Sequence, residues 1–170
     1  ERSTIGEEAK AQLRDAASRV QAVAMTYRRL HELNGTDAVD IGELVTALAD
    51  EIARSLLRSK EQLIVECISQ FISPQRAMSF ALIANELLTN AAKYGGAGAK
   101  ITVSLRVADG VATFSVANPV DNGVSAAGEG GGFGTKMIQA MVHDLGGEMR
   151  QVANNDQFET QVSFPIDAPQ

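Results

Sequence analysis

Three polar residues share one face of the helix predicted over residues 76–96. Glu86, Asn90 and Lys93 are spaced at i, i+4 and i+7, which places them in one row along an α-helix. The positions around the row are apolar, as in a helix packed on a sheet: Leu82 and Ile83 flank it, and Phe80, Ala81, Ala84, Leu87, Leu88 and Ala91 lie opposite. On this helix alone, a solvated face is the ordinary explanation. The alternative is a polar site in a groove, formed by a carboxylate, an amide and an ammonium group.

A glycine-rich stretch from Asn118 to Thr135 is the second candidate for a binding element. It places Gly132 and Gly134 just before a helix predicted at about 134–145. Glycines at a helix N-terminus expose backbone N–H groups and let an anion approach, and the helix dipole favours negative charge there. The stretch therefore predicts a phosphate-binding loop. An ordinary loop is the commoner explanation of a single G-x-G, and neither the P-loop nor the dinucleotide fingerprint is present.

Five strands and three helices are predicted in the domain that positions these groups. The strands are short runs rich in aliphatic and β-branched residues: 62–69, 100–107, 111–118, 148–154 and 158–166. Ala108-Asp109-Gly110 joins the second and third strands as a hairpin, and Gly146-Gly147 ends the last helix. Because hairpins exclude an all-parallel sheet, this order of elements predicts an α+β fold, a two-layer α/β sandwich.

Local signals mark the ends of the other two helices. Ser73 can cap the central helix, Pro74 suits its first position, and Gly95-Gly96 ends it. Asp40 caps the helix before the first strand, and Glu43 completes a capping box.

The N-terminal region is predicted to form a separate helical unit. Residues 7–33 read as one helix with a heptad seam: Leu13, Ala16, Val20, Val23, Tyr27 and Leu30. An isolated helix cannot bury such a seam, so it needs the following domain, a missing helix or a second copy of the chain. We expect one helix of a dimeric bundle, cut before residue 1. The predicted division is 1–38 for this partial bundle and 39–170 for the α/β domain, with residues 36–40 as the linker.

Composition narrows the classes of partner. The chain has 170 residues and a formal net charge of -6, with no stripe of Lys or Arg, so neither nucleic acid nor an anionic membrane is expected as a partner. No apolar segment approaches the ~20 residues of a membrane span. Cys67 is the single cysteine, so no internal disulfide can form, which fits a cytoplasmic location. Within its apolar run, Cys67 is predicted to be a small core residue.

Four segments together resemble the catalytic domain of sensor histidine kinases, in the GHKL ATPase superfamily. ALIANELLTNAAKYGG at 81–96 resembles the N box, and VDNGV at 120–124 resembles the first glycine box. GGGFGTKMIQAMVHDLGGEM at 130–149 resembles the second glycine box, and FETQVSFP at 158–165 resembles the closing strand. The N-terminal helix and the VDIGELVTALADEI segment are similar to the second dimerisation helix and linker of the HisKA_2 and HWE-like subgroup. The absence of Trp favours the HisKA_2 side.

This resemblance implies a Bergerat ATP-binding fold preceded by one long helix of a dimerisation bundle, with ATP and Mg²⁺ as cofactors. It implies that Asn90 coordinates Mg²⁺ and that Glu86 lies at the metal and orients or deprotonates the attacking group. Lys93 would neutralise phosphate charge. Further nucleotide contacts are implied for these residues: Gly123, Gly132, Gly134, Thr135 and Thr160.

One position departs from the family pattern. The family reads the adenine amino group with an Asp at a strand end, where this chain has Asn118. Asp121 lies three residues later in a D-x-G-like string, so either residue could take the role. We favour Asn118, because an amide can both accept from the amino group and donate to the ring nitrogen. Ser125 replaces the second glycine of the box.

The resemblance also implies a phosphoacceptor histidine that this fragment lacks. His31 and His143 are the only histidines, and neither lies in the family's histidine motif. We therefore expect a kinase fragment that binds ATP, acts on a histidine upstream of residue 1, dimerises through its N-terminal helix and serves a response regulator receiver domain. A degenerate, non-catalytic module that dimerises and docks a response regulator is the alternative. An anti-sigma-factor kinase would not need the N-terminal seam.

Overall fold

The computed structural model describes residues 38–95, 98–119, 133–153 and 157–166, together with six separate positions near the N-terminus. Those six, residues 10, 13, 16, 17, 20 and 24, are all helical and exposed, in agreement with the predicted N-terminal helix. At Lys60 and at residues 133–136 only the backbone is described.

Five of the strands form the main sheet. In chain order the strands are β1 (Val39–Asp40), β2 (Leu63–Cys67), β3 (Phe71–Ile72), β4 (Ile101–Ala108), β5 (Val111–Pro119), β6 (Glu148–Ala153) and β7 (Gln157–Pro165). The main sheet has the order β2-β4-β5-β7-β6. β2 and β4 are parallel, and the other neighbours are antiparallel. These five strands coincide with the predicted ones to within about two residues at each end.

Three helices pack on one face of the sheet around a common apolar core. They are α1 (Ile41–Leu56), α2 (Pro74–Tyr94) and α3 (Phe133–Asp144). The ring of Phe80 in α2 contacts Phe114 of β5 edge-on, with centroids 5.3 Å apart, and Phe164 of β7 at 5.5 Å. These ring contacts fix α2 over the middle of the sheet. The predicted α+β, two-layer architecture is confirmed. Among the described residues, no helix is long and apolar enough to cross a bilayer.

A two-stranded ribbon of β1 and β3 lies outside the predictions. Val39 pairs with Ile72 and Asp40 with Phe71, and Val39 and Ile72 are buried. The prediction of a linker over residues 36–40 is therefore wrong at its last two residues. Two-residue strands are too short for an alternation of apolar and polar residues to be detected in the sequence.

The starts of α1 and α2 follow the predictions, but only α1 has a side-chain cap. The carboxylate of Asp40 accepts hydrogen bonds from the backbone N–H groups of Gly42, at 2.8 Å, and Glu43, at 3.3 Å, which confirms the cap of α1. Ser73 is the N-cap residue of α2 and Pro74 lies in its first turn, both as predicted, but the side chain of Ser73 makes no capping hydrogen bond.

The turns depend on residues that tolerate a positive φ. Asp109 and Gly110 have φ values of 51° and 75°, which confirms the predicted hairpin between β4 and β5. Gly146 has a φ of 65°, and the N–H of Gly147 donates to the carbonyl of Val142 at 2.9 Å, so α3 ends in a Schellman motif as predicted. α2 ends at Gly95 in a right-handed conformation, with a φ of -71°.

The single cysteine is a partly buried residue of β2. Partial burial raises the pKa of the Cys67 thiol to about 11, and a backbone hydrogen bond involving Leu105 offsets part of that rise. The thiol therefore stays protonated at neutral pH. Cys67 was predicted to be a small core residue; it packs against the core but is only partly buried.

Alkylation of Cys67 by iodoacetamide tests this environment. Because the thiolate is the nucleophile, a pKa near 11 in place of about 9 leaves roughly a hundredfold less thiolate at pH 8. We expect the folded chain to react about a hundredfold more slowly at pH 8 than the same chain unfolded in urea, as followed by mass spectrometry. The folded rate should keep rising with pH up to about 11. A rate that levels off near pH 9 would contradict the assigned pKa.

Candidate functional site

The C-terminal half of α2 buries polar side chains. Glu86 is only 7% exposed, Asn85 3% and Thr89 6%. Carboxylates are rarely buried to this extent in a helix that serves only as surface. The explanation of Glu86 as part of a solvated face is therefore not supported.

The predicted polar row becomes more exposed toward the end of α2. After the buried Glu86, Asn90 is half-buried and Lys93 is exposed. At 1.5 Å per residue, about 10 Å of helix separates Glu86 from Lys93. The row therefore begins in the interior with a carboxylate and ends at the surface with an ammonium group in the last turn, where the helix dipole favours a cation.

The end of β5 meets the end of α2. A Cβ placed on Gly95 would lie 3.4 Å from the Cβ of Asn118, so the two chain segments are in van der Waals contact. Asn118 is 7% exposed, and its side-chain amide donates to the carbonyl of Pro119 at 3.0 Å. That bond uses one of the two amide hydrogens, so the side-chain oxygen and the second hydrogen remain available to a ligand.

Thr160 lies on the same face of the sheet, one strand away. It pairs with Val116, while Asn118 pairs with Phe158. Alternation along the strands turns Thr160 and Asn118 toward the helices, together with Phe114 and Phe164, which contact α2. Asn118 and Thr160 are therefore diagonal neighbours, about 7–8 Å apart. Thr160 is 5% exposed, so both are polar residues in an otherwise apolar layer.

The first turn of α3 lies toward the same region. The C-terminal end of α3 lies beside the first turn of α2, where Arg76 binds the carbonyl of Leu145, and the two helices pack together. Arg76 lies at the N-terminal end of α2 and contacts the C-terminal end of α3. The N-terminal end of α3 therefore points toward the polar, C-terminal half of α2. α3 begins at Phe133, one residue earlier than predicted, so Gly134, which was predicted to precede the helix, lies in its first turn together with Thr135. The other predicted ligands, Asp121, Gly123 and Gly132, lie outside the described residues.

Two buried polar residues of α2 were not singled out from the sequence. Asn85 and Thr89 are spaced one turn apart, beside Glu86. The Oγ1 atom of Thr89 is fully buried and has no hydrogen-bond partner among the residues that the structure describes. The i, i+4 spacing of two polar residues next to the row was the available signal. It was not decisive, because the same spacing is common on solvated helices.

The chemistry of the assembled groups suits a magnesium–polyphosphate ligand. A carboxylate and an amide oxygen are hard ligands that Mg²⁺ accepts, and an ammonium group can neutralise phosphate. The described residues contain no group of three or more His, Cys, Asp or Glu placed to hold a metal. Mg²⁺ does not require one, because it commonly takes one or two protein oxygens and completes its shell with phosphate and water.

A groove between α1 and β2 has a different character from the candidate site. Asp40, Glu43 and Asp50 line this groove together with Cys67. Three carboxylates would repel a polyphosphate, so the groove does not fit the same ligand.

Comparisons with known proteins agree with the resemblance seen in the sequence. Residues 1–56 match the sequence model of HisKA_2, described as histidine kinase. The fold is similar to that of the histidine kinase domain of the Erythrobacter litoralis EL346 blue-light activated histidine kinase, with a TM-score of 0.75 and 17% identity over 89% of this chain and 75% of that one. No curated protein matched the sequence.

Two further structures show the same relationship. A longer structure of the EL346 blue-light activated histidine kinase matches with a TM-score of 0.73 and 17% identity over 88% of this chain and 53% of that chain. The mycobacterial sensor histidine kinase MprB matches with a TM-score of 0.58 and 17% identity over 76% of this chain and 96% of that one. The predicted resemblance to histidine kinases and the predicted catalytic-domain fold are thereby confirmed.

Proposed function

We propose that this chain, with an N-terminal third that matches a histidine kinase family and a domain with the histidine kinase catalytic fold, binds MgATP and positions it for phosphoryl transfer to a histidine upstream of residue 1. One observation carries the proposal. The end of α2, with Glu86, Asn90 and Lys93, meets the end of β5 at the contact between Gly95 and Asn118. A polar row and a polar strand end are thus neighbours in one part of the fold.

The polar row of α2 would hold the metal and the phosphates. When bound, MgATP supplies the phosphoryl group and its electrophilic phosphorus. The amide oxygen of Asn90 would ligate the metal. The carboxylate of Glu86, one helical turn before Asn90, would ligate the same ion or orient the attacking imidazole. The Lys93 ammonium group at the exposed end neutralises phosphate charge. Catalysis by these residues consists of positioning and charge compensation.

The sheet would hold the base. Asn118 would accept a hydrogen bond from the adenine amino group through its side-chain oxygen. That oxygen takes no part in the bond from the Asn118 amide to the carbonyl of Pro119. The hydroxyl of Thr160, on the neighbouring strand, would bond the base directly or through a water. Gly123, Gly132, Gly134 and Thr135 would border the phosphates through backbone N–H groups.

The N-terminal helix would form a homodimer. Leu13 and Val20, seven residues apart in the predicted seam, are 70% and 69% exposed in the single chain. A second copy would bury this seam and complete a helical bundle of the kind in which the acceptor histidine lies. A response regulator receiver domain would take the phosphoryl group from that histidine in the cytoplasm.

Isothermal titration of MgATP into the parent chain and the Asn90→Ala variant tests the metal assignment. We expect at least about tenfold weaker binding for the variant, because an oxygen ligand to the metal is lost. In EDTA the affinity of the parent should fall to that of the variant, since Asn90 acts through the metal.

The exposed amide of Gln75, on the same helix, provides the matched control. Gln75→Ala should bind MgATP within about twofold of the parent. Absence of binding by the parent at millimolar nucleotide would refute ATP binding and favour the non-catalytic docking module.

Substitutions at the two candidate adenine-reading positions decide between them. We expect Asn118→Ala to weaken ATP binding about tenfold and to reduce the preference for ATP over GTP, because a base contact is removed. Asn118→Asp keeps the acceptor oxygen and should retain most of that preference. Asp121→Ala should remain within about twofold of the parent. The reverse pattern, with loss only at Asp121, would assign the role to that residue.

Sedimentation equilibrium of the parent and of Val20→Glu tests the dimer. We expect the parent to approach the mass of two chains with rising concentration, whereas the variant, with a charge in the seam, stays at one chain. Gln12→Glu adds the same charge outside the seam spacing and should still dimerise. A parent that stays at the mass of one chain at every concentration would contradict the homodimer.

A further inference from the structure

One guanidinium group joins three elements at the end of the domain remote from Asn90. Arg76, in the first turn of α2, donates from Nη2 to the carbonyl of Leu145 at 3.0 Å and to the carbonyl of Pro165. Leu145 follows the last turn of α3, and Pro165 ends β7. The guanidinium also lies over the ring of Phe164, 5.7 Å from its centroid. A single side chain thus connects α2, α3 and β7.

We call the contacts of Arg76 with Leu145, Phe164 and Pro165 the joint. The end of α3 at this joint has little room to move. A Cβ on Gly147 would lie 2.5 Å from the carbonyl oxygen of Ser163 and 3.0 Å from the Cβ of Phe164, so the chain after α3 is packed directly on β7. Leu145 and Val142 are 3% and 5% exposed. The C-terminal end of α3 is therefore fixed by a glycine contact on one side and by Arg76 on the other.

The geometry of α3 transmits this constraint to its other end. α3 has 12 residues, so its first turn, with Gly134 and Thr135, lies about 18 Å from the joint. Arg76 precedes Asn90 by 14 positions, or about 21 Å along α2. A tilt of α3 by about 5° at the joint would move its first turn by about 1.5 Å relative to α2. Displacements near 1 Å are enough to disturb ligand positioning.

We propose that Arg76 is a positioning residue for the nucleotide site. By binding the carbonyls of Leu145 and Pro165 at once, it fixes the angle between α2 and α3, and with it the spacing between Asn90 and the first turn of α3. The inference rests on the proposed function for the identity of the ligand. The joint itself rests on the contacts of Arg76.

Arginine suits this joint better than lysine would. Its planar fork presents several N–H donors with fixed geometry, so two carbonyls on different elements are held in a defined relation. One of them, Leu145, lies at the C-terminal end of α3, where the helix dipole favours a positive charge. Lysine would keep the charge and one or two hydrogen bonds, but it would lose the fixed geometry and the stacking on Phe164.

The test compares Arg76→Ala and Arg76→Lys with control variants in α1, where Ile52 is 4% exposed. Ile52→Val and Ile52→Ala are expected to destabilise the chain by a small and a large step, so that one of them can be matched in melting temperature to each Arg76 variant, and neither changes a residue of α2, α3 or β7. Two quantities are measured at a temperature where circular dichroism shows each variant folded. One is the dissociation constant for MgATP by calorimetry, and the other is amide hydrogen exchange of residues 137–145 without nucleotide.

We expect Arg76→Ala to bind MgATP about tenfold more weakly and Arg76→Lys to be intermediate. Exchange should accelerate in α3 more than in α1. An Ile52 variant of equal melting temperature should bind MgATP within about twofold of the parent. Equal losses of affinity in the Arg76 and Ile52 variants would overturn the proposal, because destabilisation alone would then explain them. If Arg76→Ala does not fold, Arg76→Lys with faster exchange in α3 but unchanged affinity would overturn it.

The two readouts separate this inference from the proposed function. A parent chain that binds no MgATP overturns the proposed function, and the nucleotide role of Arg76 falls with it. The exchange data still report on the joint in that case. Unchanged exchange of α3 in both Arg76 variants would overturn the joint, whatever the ligand.

Discussion

The candidate site depends on how α2 is held on the sheet. This helix has to bury an apolar face and, near its end, several polar side chains as well. The Phe80 ring, in contact with Phe114 and Phe164, fixes the apolar face over β5 and β7. Since a helix is rigid over this distance, that one cluster also determines where Glu86, Asn90 and Lys93 lie. Removing polar groups from water in this way is unfavourable unless a partner or ligand compensates.

The order of elements and their faces could be predicted from the sequence because they follow from local rules. The hairpin at Asp109-Gly110, the cap at Asp40 and the end of α3 at Gly146 each need only a short-range signal. The apolar positions of α2 follow from helical spacing, and the residues predicted to face the sheet are buried. The prediction fails at residues 39–40 because their pairing with β3 is long-range and gives no local signal. Ser73 lies at the predicted cap position, but its side chain makes no capping hydrogen bond.

That the end of α2 lies beside the end of β5 could not be predicted in the same way. Nothing in the spacing of Gly95 and Asn118 indicates that they touch, because the contact depends on how α2 crosses the sheet. The burial of Asn85 and Thr89 is likewise a property of the packed helices. Arg76 gave no sequence signal, because a lone Arg in a first helical turn is common and both of its carbonyl partners lie on other elements. The resemblance to histidine kinases indicates the role expected of each residue, whereas the structure shows which of these residues lie near one another.

We propose that a metal–triphosphate ligand binds where the end of α2 meets the end of β5. Paramagnetic broadening of backbone amide resonances by Mn²⁺ with ATP, in place of Mg²⁺, measures the position of the metal directly. We expect the strongest broadening at residues 86–94 of α2 and near Asn118, and weaker broadening at Arg76, which lies about 21 Å along α2 from Asn90. Broadening centred on the acidic groove of Asp40, Glu43 and Asp50, or none that requires ATP, would contradict it.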